Sequence, residues 1–500
     1  MDAEQLKLGD STLSGDVLSE LRERIIRLYK QDARPWVIGY SGGKDSTVIV
    51  QLIWDAMLAI AKEEAPKKPV YVLSSDTLVE TPVVVDALRK NLIKMGEAAK
   101  KQGIPLTTHL VIPDTNQSFW TNLIGRGYPA PTTTFRWCTD RLKIKPANEF
   151  ILDKVSQHGE VILVLGVRKE ESVTRAQSIE AYEKKASELD FSAHTSLPGA
   201  LVFSPIVDWT THDVWDFLGV STPPWGGSHR ELITMYRNAQ AGECPLVVDK
   251  TTSSCGNSRF GCWTCTVVSA DKSMEALSDV ADGSGDWLLH MLDFREFLAN
   301  TTIPSEKYKY RQTRRRDGSI RFKNERSSTL IWGPYQPKFR AEILRKLMEA
   351  ETAVRADGPD PDAVLITDVE LLRIREIWAQ EPEPDFFTLR VEDIVALSSE
   401  RKVSWPASDD FKMRGTEQKA LLHAAEESGV PAEVLARLLR VEESARYKAK
   451  RIGLNERLLS PLRAKWQSRE EVLAEREKRT QIEAEELAET CEGDHADSMA

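Results

Sequence analysis

The chain of 500 residues lacks any apolar run long enough to span a bilayer. Its first residues, Met-Asp-Ala-Glu-Gln-Leu-Lys, have neither the basic nor the apolar region of a secretory leader, so the expected location is cytoplasmic. Six cysteines are few for this length and exclude a disulfide-stapled scaffold. Overall positive charge is also missing. A net charge of −10 argues against a protein that coats nucleic acid by bulk attraction. There is no internal repeat and no Walker A loop, which needs four residues between its first glycine and Gly-Lys.

The average charge hides an asymmetry. Residues 307–326 carry nine Lys or Arg against two acids, and residues 470–500 carry eleven acids against three bases. The cysteines are equally uneven, with Cys244, Cys255, Cys262 and Cys265 falling inside one short stretch. In a reducing compartment such a group points to metal or redox chemistry.

Residues 36–47 read Trp-Val-Ile-Gly-Tyr-Ser-Gly-Gly-Lys-Asp-Ser-Thr. A short hydrophobic strand runs into a glycine turn, and an apolar helical pattern (Val48, Ile49, Leu52, Ile53, Met57) follows at once. Strand, turn and helix start together aim backbone N–H groups at an anion. Gly42 and Gly43 permit close approach, Ser41 and Ser46 supply hydroxyls, Lys44 a cation and Asp45 a carboxylate. Further strands near 70–73, 107–112 and 161–167 alternate with helices, which predicts a doubly wound, mostly parallel α/β sheet. Asp76 and Gly166–Arg168 then share the carboxyl edge with the glycine turn, where ligands of such sheets bind. Asp76 is expected to hold Mg²⁺ or ribose, or to cap the next helix. Arg168 and Arg175 are expected to clamp phosphates. Trp209 and Trp215 read as core residues.

Cys138 stands apart from the other cysteines, with Arg136, Arg141, Lys143 and Lys145 close by in sequence. Such cations lower a thiol's pKa, so a reactive thiolate able to carry sulfur as a persulfide is expected there. Cys244, Cys255, Cys262 and Cys265 form a complete four-thiolate set for an iron–sulfur cluster or Zn²⁺. With one Cys-x-x-Cys pair and irregular spacing, the reading leans to a 4Fe–4S cluster, with Zn²⁺ as the alternative. The basic run 307–326, with Tyr308, Tyr310, Phe322 and an Asp317-Gly318 turn signal, reads as a hairpin suited to a nucleic-acid backbone. Organisation is expected as 1–235 (nucleotide domain), 236–340 (cysteines and hairpin), 341–460 (helical, after a linker near 351–363) and 461–500 (charged helix and acidic tail).

Ser-Gly-Gly-x-Asp-Ser resembles the PP-loop of the ATP pyrophosphatase superfamily. Arg-Trp-Cys at 136–138, Gly-x-Arg-x-x-Glu-Ser from Gly166 and the later cysteine group add to the resemblance. In this order, over about residues 10–340, they resemble the DNA phosphorothioation sulfurtransferases, relatives of phosphoadenosine phosphosulfate (PAPS) reductases. The resemblance implies cleavage of ATP to AMP and pyrophosphate, with sulfur replacing a non-bridging oxygen of DNA. It also implies a 4Fe–4S cluster, a cysteine desulfurase as donor, and partner subunits. Lys44, Asp45, Arg168 and Cys138 would be catalytic. Two enzyme alternatives are a PAPS or adenylylsulfate reductase and a tRNA thiolase. Such reductases usually use a C-terminal cysteine, and Cys491 sits in acidic surroundings unsuited to that role. A non-catalytic nucleotide-sensing DNA-binding subunit is the remaining reading.

Overall fold

The computed structural model describes residues 13–171, 190–194, 196–239, 261–279, 283–324, 329–381, 383–407, 413, 415–446, 451–463, 466–479 and 481. They pack as two interleaved units. The first takes residues 1–119, 131–296 and 353–365, and the second takes 120–130, 297–352 and 366–500.

The first unit is built on a six-stranded sheet, ordered β3-β2-β1-β4-β6-β5. Its strands are β1 (Trp36–Gly39), β2 (Val70–Ser75), β3 (Leu106–Val111), β4 (Val161–Val164), β5 (Ser192–Ala193) and β6 (Ala200–Phe203). Five run parallel, and β5 closes the edge antiparallel to β6. The four parallel strands read from the sequence are present. β5 and β6 are additional to the expected strands, and β5, with two residues, is too short to carry a pattern.

From β1 the chain winds outward through β2 to β3, then returns to place β4 on the other side of β1. The order reverses between β1 and β4, so the loops leaving these two strands flank the crevice where doubly wound sheets hold ligands. Helix α1 (Gly15–Lys30) begins at a Ser14 cap and packs Leu21, Ile25 and Leu28 inward. Helix α2 (Lys44–Ala61) is apolar nearly all round, with twelve of its eighteen residues buried. A helix of that kind belongs to the core, so the loop at its head has a fixed base. Helices α3 (Pro82–Gln102) and α4 (Lys145–His158) complete the crossovers. Then come α5 (Thr211–Val220), started by a Thr210/Asp213 capping box, and α6 (Arg230–Ala239). Trp209 and Trp215 are buried, as expected of core residues.

The second unit is helical, with helices at Asp368–Gln380, Val391–Ser398, Gly415–Ser428, Ala432–Ala445 and Leu454–Arg463. Its core includes the 120–130 segment. The buried Arg340 donates to the Ile124 carbonyl (2.8 Å), pairs with Glu381 (3.3 Å) and stacks on Phe386 (4.3 Å). The Trp378 indole donates to the same carbonyl (3.0 Å). Among the described residues, no helix is long and apolar enough to cross a membrane.

Candidate active site at the carboxyl edge of the sheet

The loop after β1 is built as its residue types require. Gly42 has φ +75°, a left-handed conformation that suits glycine. The Ser41 N–H donates to Ser46 Oγ (3.2 Å), the two serine hydroxyls meet at 3.1 Å, and Ser46 and Thr47 both donate to the Gly43 carbonyl. Lys44 Nζ lies 2.9 Å from Asp45 Oδ2, and Arg168 Nε lies 2.7 Å from Asp45 Oδ1. Asp45 thus sits between two cations, one from its own loop and one from the loop after β4.

That second loop approaches closely. A Cβ at Gly166 would lie 3.1 Å from the Asp45 backbone, so glycine is what lets the two loops meet. Arg168 is only 2% exposed and spends its other donors on Glu170 (2.9 Å), the Trp209 carbonyl (3.2 Å) and the Thr211 hydroxyl (3.2 Å). In this arrangement Arg168 fixes Asp45 in place, which differs from the expected phosphate clamp. Arg175, its expected companion, lies outside the described residues.

Asp76 follows β2 and is buried. Its Oδ1 accepts from the Leu78 N–H (2.8 Å) and its Oδ2 from Arg89 (2.7 Å). Both oxygens therefore have protein donors, and one of them supports a turn in which Leu78 takes φ +64°. A non-glycine residue there costs about 1 kcal/mol, which the buried carboxylate offsets. Asp76 organises this turn, whereas the cap of α3 is Thr81.

The turn also positions a thiol. Thr77 Oγ1 lies 3.0 Å from Glu80 Oε1 and 3.4 Å from Cys262 Sγ. Glu80 and Cys262 pair as an isolated antiparallel bridge, and the Trp263 N–H donates to the Val79 carbonyl (3.0 Å). Arg295 holds the far side by donating to the carbonyls of Cys265 (3.0 Å) and Val268 (2.5 Å). Cys138 is brought into the same neighbourhood. Burial pushes its thiol pKa up, and the Cys265 thiol adds to the rise. Burial and Glu80 push Cys262 up to about 12, against the opposing Lys143 and Thr77. Burial opposes the charge on Lys143, but Cys262, Glu80 and Cys138 outweigh it and its pKa is raised.

The expected low-pKa thiolate at Cys138 is therefore not found. Of the cations near it in sequence, Arg141 bonds Gln117 and Lys145 lies more loosely by Glu149 (3.9 Å), while Lys143 is shared between Glu80 (3.1 Å) and the thiols. Burial then dominates. Conversely, the sequence set Cys138 apart, while the fold places it with Cys262 and Cys265. No spacing signal could have revealed that, because the β2 turn brings them together.

Cys244 and Cys255 lie outside the described residues. Among the described residues, no three Cys, His, Asp or Glu side chains come close enough to hold a metal ion. Cys262 and Cys265 are the two members of the expected four-cysteine set that the described residues include, and two thiols alone do not complete a site for a 4Fe–4S cluster or Zn²⁺.

The basic run 307–326, in the second unit, is only partly a hairpin. Asp317-Gly318 forms the expected turn, closed by Arg315 N–H to the Ser319 carbonyl (2.8 Å), with Gly318 at φ +84°. Backbone pairs link 321–323 with 329–331. Tyr308 and Tyr310 instead fall on a short helical turn, Lys307–Tyr310. Several cations serve the unit itself. Arg311 donates to the carbonyls of Gly333 (2.8 Å) and Trp332 (2.6 Å), and burial lowers its pKa to about 10. Arg314 donates to the Gln467 carbonyl (2.7 Å), Arg316 pairs with Glu381, Arg321 with Asp317 (2.9 Å) and Lys309 with Glu306. Arg315 and Lys323 are exposed.

Residues 35–268 match the phosphoadenosine phosphosulfate reductase domain family. This segment is a PP-loop domain of the PAPS reductase type. The match encloses every loop of the sheet edge just described, together with Cys138, Cys262 and Cys265. An uncharacterized protein of Methanocaldococcus jannaschii is 24% identical over 190 residues, which is 38% of this chain and 32% of that protein. The chain thus spans about a third of the length of the curated relative it matches. Two solved structures of Candida glabrata FMN adenylyltransferase, one with FMN and the ATP analog AMPCPP and one with FAD and inorganic pyrophosphate, are each 14% identical. Both alignments cover 43% of this chain, with 60% and 62% of the adenylyltransferase, at TM-scores of 0.23 and 0.24. Scores that low carry no argument about function.

Proposed function

We propose that the PP-loop domain binds ATP at Ser41–Ser46, splits it to AMP and pyrophosphate, and uses the activation to transfer sulfur to a DNA backbone phosphate. One observation carries this reading: Cys262 is pinned to the turn after β2, at the same sheet edge as the glycine loop after β1, inside a PAPS reductase-type domain. An anion cradle and thiols on one edge suit a reaction that activates with a nucleotide and then moves sulfur.

In the proposed sequence a non-bridging phosphate oxygen of DNA attacks the α-phosphorus of ATP, and pyrophosphate leaves. Loop amides, the serine hydroxyls and Lys44 stabilise the negative charge that develops, with Asp45 and Arg168 fixing their geometry. Mg²⁺ bound with ATP would supply charge neutralisation. Terminal persulfide sulfur on Cys138, delivered by a cysteine desulfurase, then attacks the activated phosphorus, and AMP leaves. A second thiol breaks the S–S bond, freeing the phosphorothioate and leaving a protein disulfide that an external thiol reduces. The raised Cys138 pKa fits a thiol that waits protonated until it is loaded, because a persulfide is more acidic than its parent thiol. Partner subunits of a modification system would deliver DNA and donor.

Product analysis tests the first step. Full chain with Mg²⁺, ATP, duplex DNA, a cysteine desulfurase with cysteine and a thiol reductant is expected to release AMP and pyrophosphate in equal amounts, and without the sulfur donor to release pyrophosphate alone; ADP with phosphate instead would remove the reading. A second reading is favoured by the internal use of many cations in 307–326, namely a reductase acting on a small sulfonucleotide. Sulfite release from PAPS with a thiol reductant, without stimulation by DNA or tRNA, would select it. Stimulation by tRNA alone would select a thiolase.

A further inference from the structure

Arg89 stands at the same sheet edge but belongs to none of the motifs. It lies on α3, and its Nη2 donates to Asp76 Oδ2 (2.7 Å). The two partners differ in setting, since the Asp76 side chain is 2% exposed and that of Arg89 is 54% exposed. Among the described residues Asp76 is the one partner of this guanidinium, so its Nε and Nη1 are not spent on the fold.

Helix α3 sets Arg89 beside the glycine loop. The residue before it, Leu88, packs there, because a Cβ at Gly42 would lie 3.3 Å from Leu88 Cδ1. Two residues after it, Asn91 hydrogen-bonds the Tyr40 side chain. β1 and β2 run parallel with Gly39 opposite Leu73, so Gly42 and Asp76, each three residues further on, leave the sheet next to one another. The other flank of the loop is taken up by protein. Tyr236 of α6 reaches it, its oxygen lying 3.2 Å from where a Gly43 Cβ would be, and Asp45 sits there between Lys44 and Arg168.

Loop amides and hydroxyls are neutral, so a bound phosphate is held more strongly when a cation adds a charge-assisted bond. Other cations at this edge already have carboxylate partners. Lys44 pairs with Asp45, Arg168 is buried against Asp45 and Glu170, and Lys143 is shared between Glu80 and the thiols. Arg89 is anchored at one nitrogen by a buried carboxylate and open at the rest. A guanidinium is planar with its donors in a fixed fork, so one anchored corner orients the whole group. Such a fork loses less freedom on meeting a phosphate than an untethered side chain does.

We infer that Arg89 is a phosphate-binding residue of this site: oriented by Asp76, its Nε and Nη1 donate to a phosphate oxygen of a molecule lying over the glycine loop. The inference rests on the reading of Ser41–Ser46 as the ATP cradle and adds to it a cation from α3, outside the strand–loop–helix motif. It also gives Asp76 a second use besides its turn. The phosphate belongs either to the nucleotide or to the acceptor backbone, and the experiment separates these sources.

The substitution Arg89→Lys keeps a cation for Asp76 and removes the fork, while Arg89→Gln removes the charge as well. Calorimetric titration of the full chain with ATP and with adenosine is paired with the KM for duplex DNA in pyrophosphate release and with a thermal melt. Both variants are expected to weaken one phosphate ligand about tenfold, the scale of a hydrogen bond between charged groups, and to leave adenosine binding unchanged. Arg89→Lys is expected to melt with wild type, whereas Arg89→Gln melts lower because it leaves Asp76 without its cation. A loss confined to ATP assigns the nucleotide's phosphates, and a raised KM for DNA at unchanged ATP affinity assigns the acceptor. Unchanged values for both ligands in both variants would overturn the inference. So would equal weakening of ATP and adenosine, which marks a packing role. If wild type binds no ATP, or Lys44→Ala binds it as well as wild type does, the cradle itself is wrong, and that result is distinct from a failure at Arg89 alone.

Discussion

His229 shows how a single buried side chain sets a pH limit. It is 5% exposed, bonded to Gln51 and edge-on to Trp225, and burial lowers its pKa from 6.5 to about 4. The unfolded chain therefore binds more protons than the folded one between those values. Stability from this group is fully present above pH 6.5 and is lost as pH falls toward 4, by on the order of 3 kcal/mol. His229→Gln removes the titration, so denaturant melts at stepped pH are expected to show a shallower decline across that window. An identical decline in both proteins would mean that another group controls it. The same scale explains why Cys138 was misjudged. Cations near a thiol in sequence set its pKa only where they outweigh burial: here Arg141 bonds Gln117, Lys145 lies by Glu149, Lys143 is shared between Glu80 and the thiols, and burial wins.

At the scale of the element, the start of α5 bears on the whole sheet edge. Thr210 Oγ1 accepts the Asp213 N–H (3.1 Å), while Asp213 Oδ2 accepts the Thr210 N–H (2.7 Å) and hydroxyl (2.7 Å). The next residue, Thr211, bonds Arg168 and Glu170, and Trp215 one turn on meets Tyr236. Thr210→Ala is expected to cost about 1–2 kcal/mol in equilibrium unfolding, and Thr210→Ser to retain most of it, since the hydroxyl is what both bonds need. Equal losses for the two variants would locate the effect in the methyl group. The sequence reading places Trp209 and Trp215 in the core, but the use of this stretch as a brace for Arg168 is not legible there. That role needs β4 and β6 side by side, and β6 is a four-residue strand.

The units interleave at the scale of the whole chain. Trp120, Leu123 and Ile124, each 0% exposed, belong to the second unit although they fall inside the sequence of the first. Their cover comes from residues such as Arg340 and Trp378, more than two hundred positions later. A fragment ending at 296 would leave these apolar side chains in water, where burying each large one is worth about 2–3 kcal/mol. Such a fragment is expected to aggregate or to bind a hydrophobic dye, unlike the full chain. Size-exclusion chromatography showing a monodisperse, cooperatively melting 1–296 fragment would contradict this. Nucleic-acid affinity is a property of the same scale. With Arg311, Arg314, Arg316 and Arg321 engaged inside the second unit, binding that depends on Arg315 and Lys323 is expected to show a shallow salt slope, losing about one to two units on the double substitution Arg315→Ala/Lys323→Ala. A steep slope unaffected by that pair would place the nucleic-acid surface elsewhere.

Local chemistry was enough to determine the glycine loop, the four main parallel strands and the edge at which they meet, because periodicity, turn residues and helix starts are encoded within a few neighbours. Tertiary structure alone decided that Arg168 braces Asp45, that Cys138 lies with Cys262 and Cys265, that Asp76 spends its oxygens on a turn, and that Tyr236 reaches the loop. Each of these joins residues far apart in the chain. Proximity of that kind follows from burial and sheet order, and burial also sets which ionisable groups hold their charge.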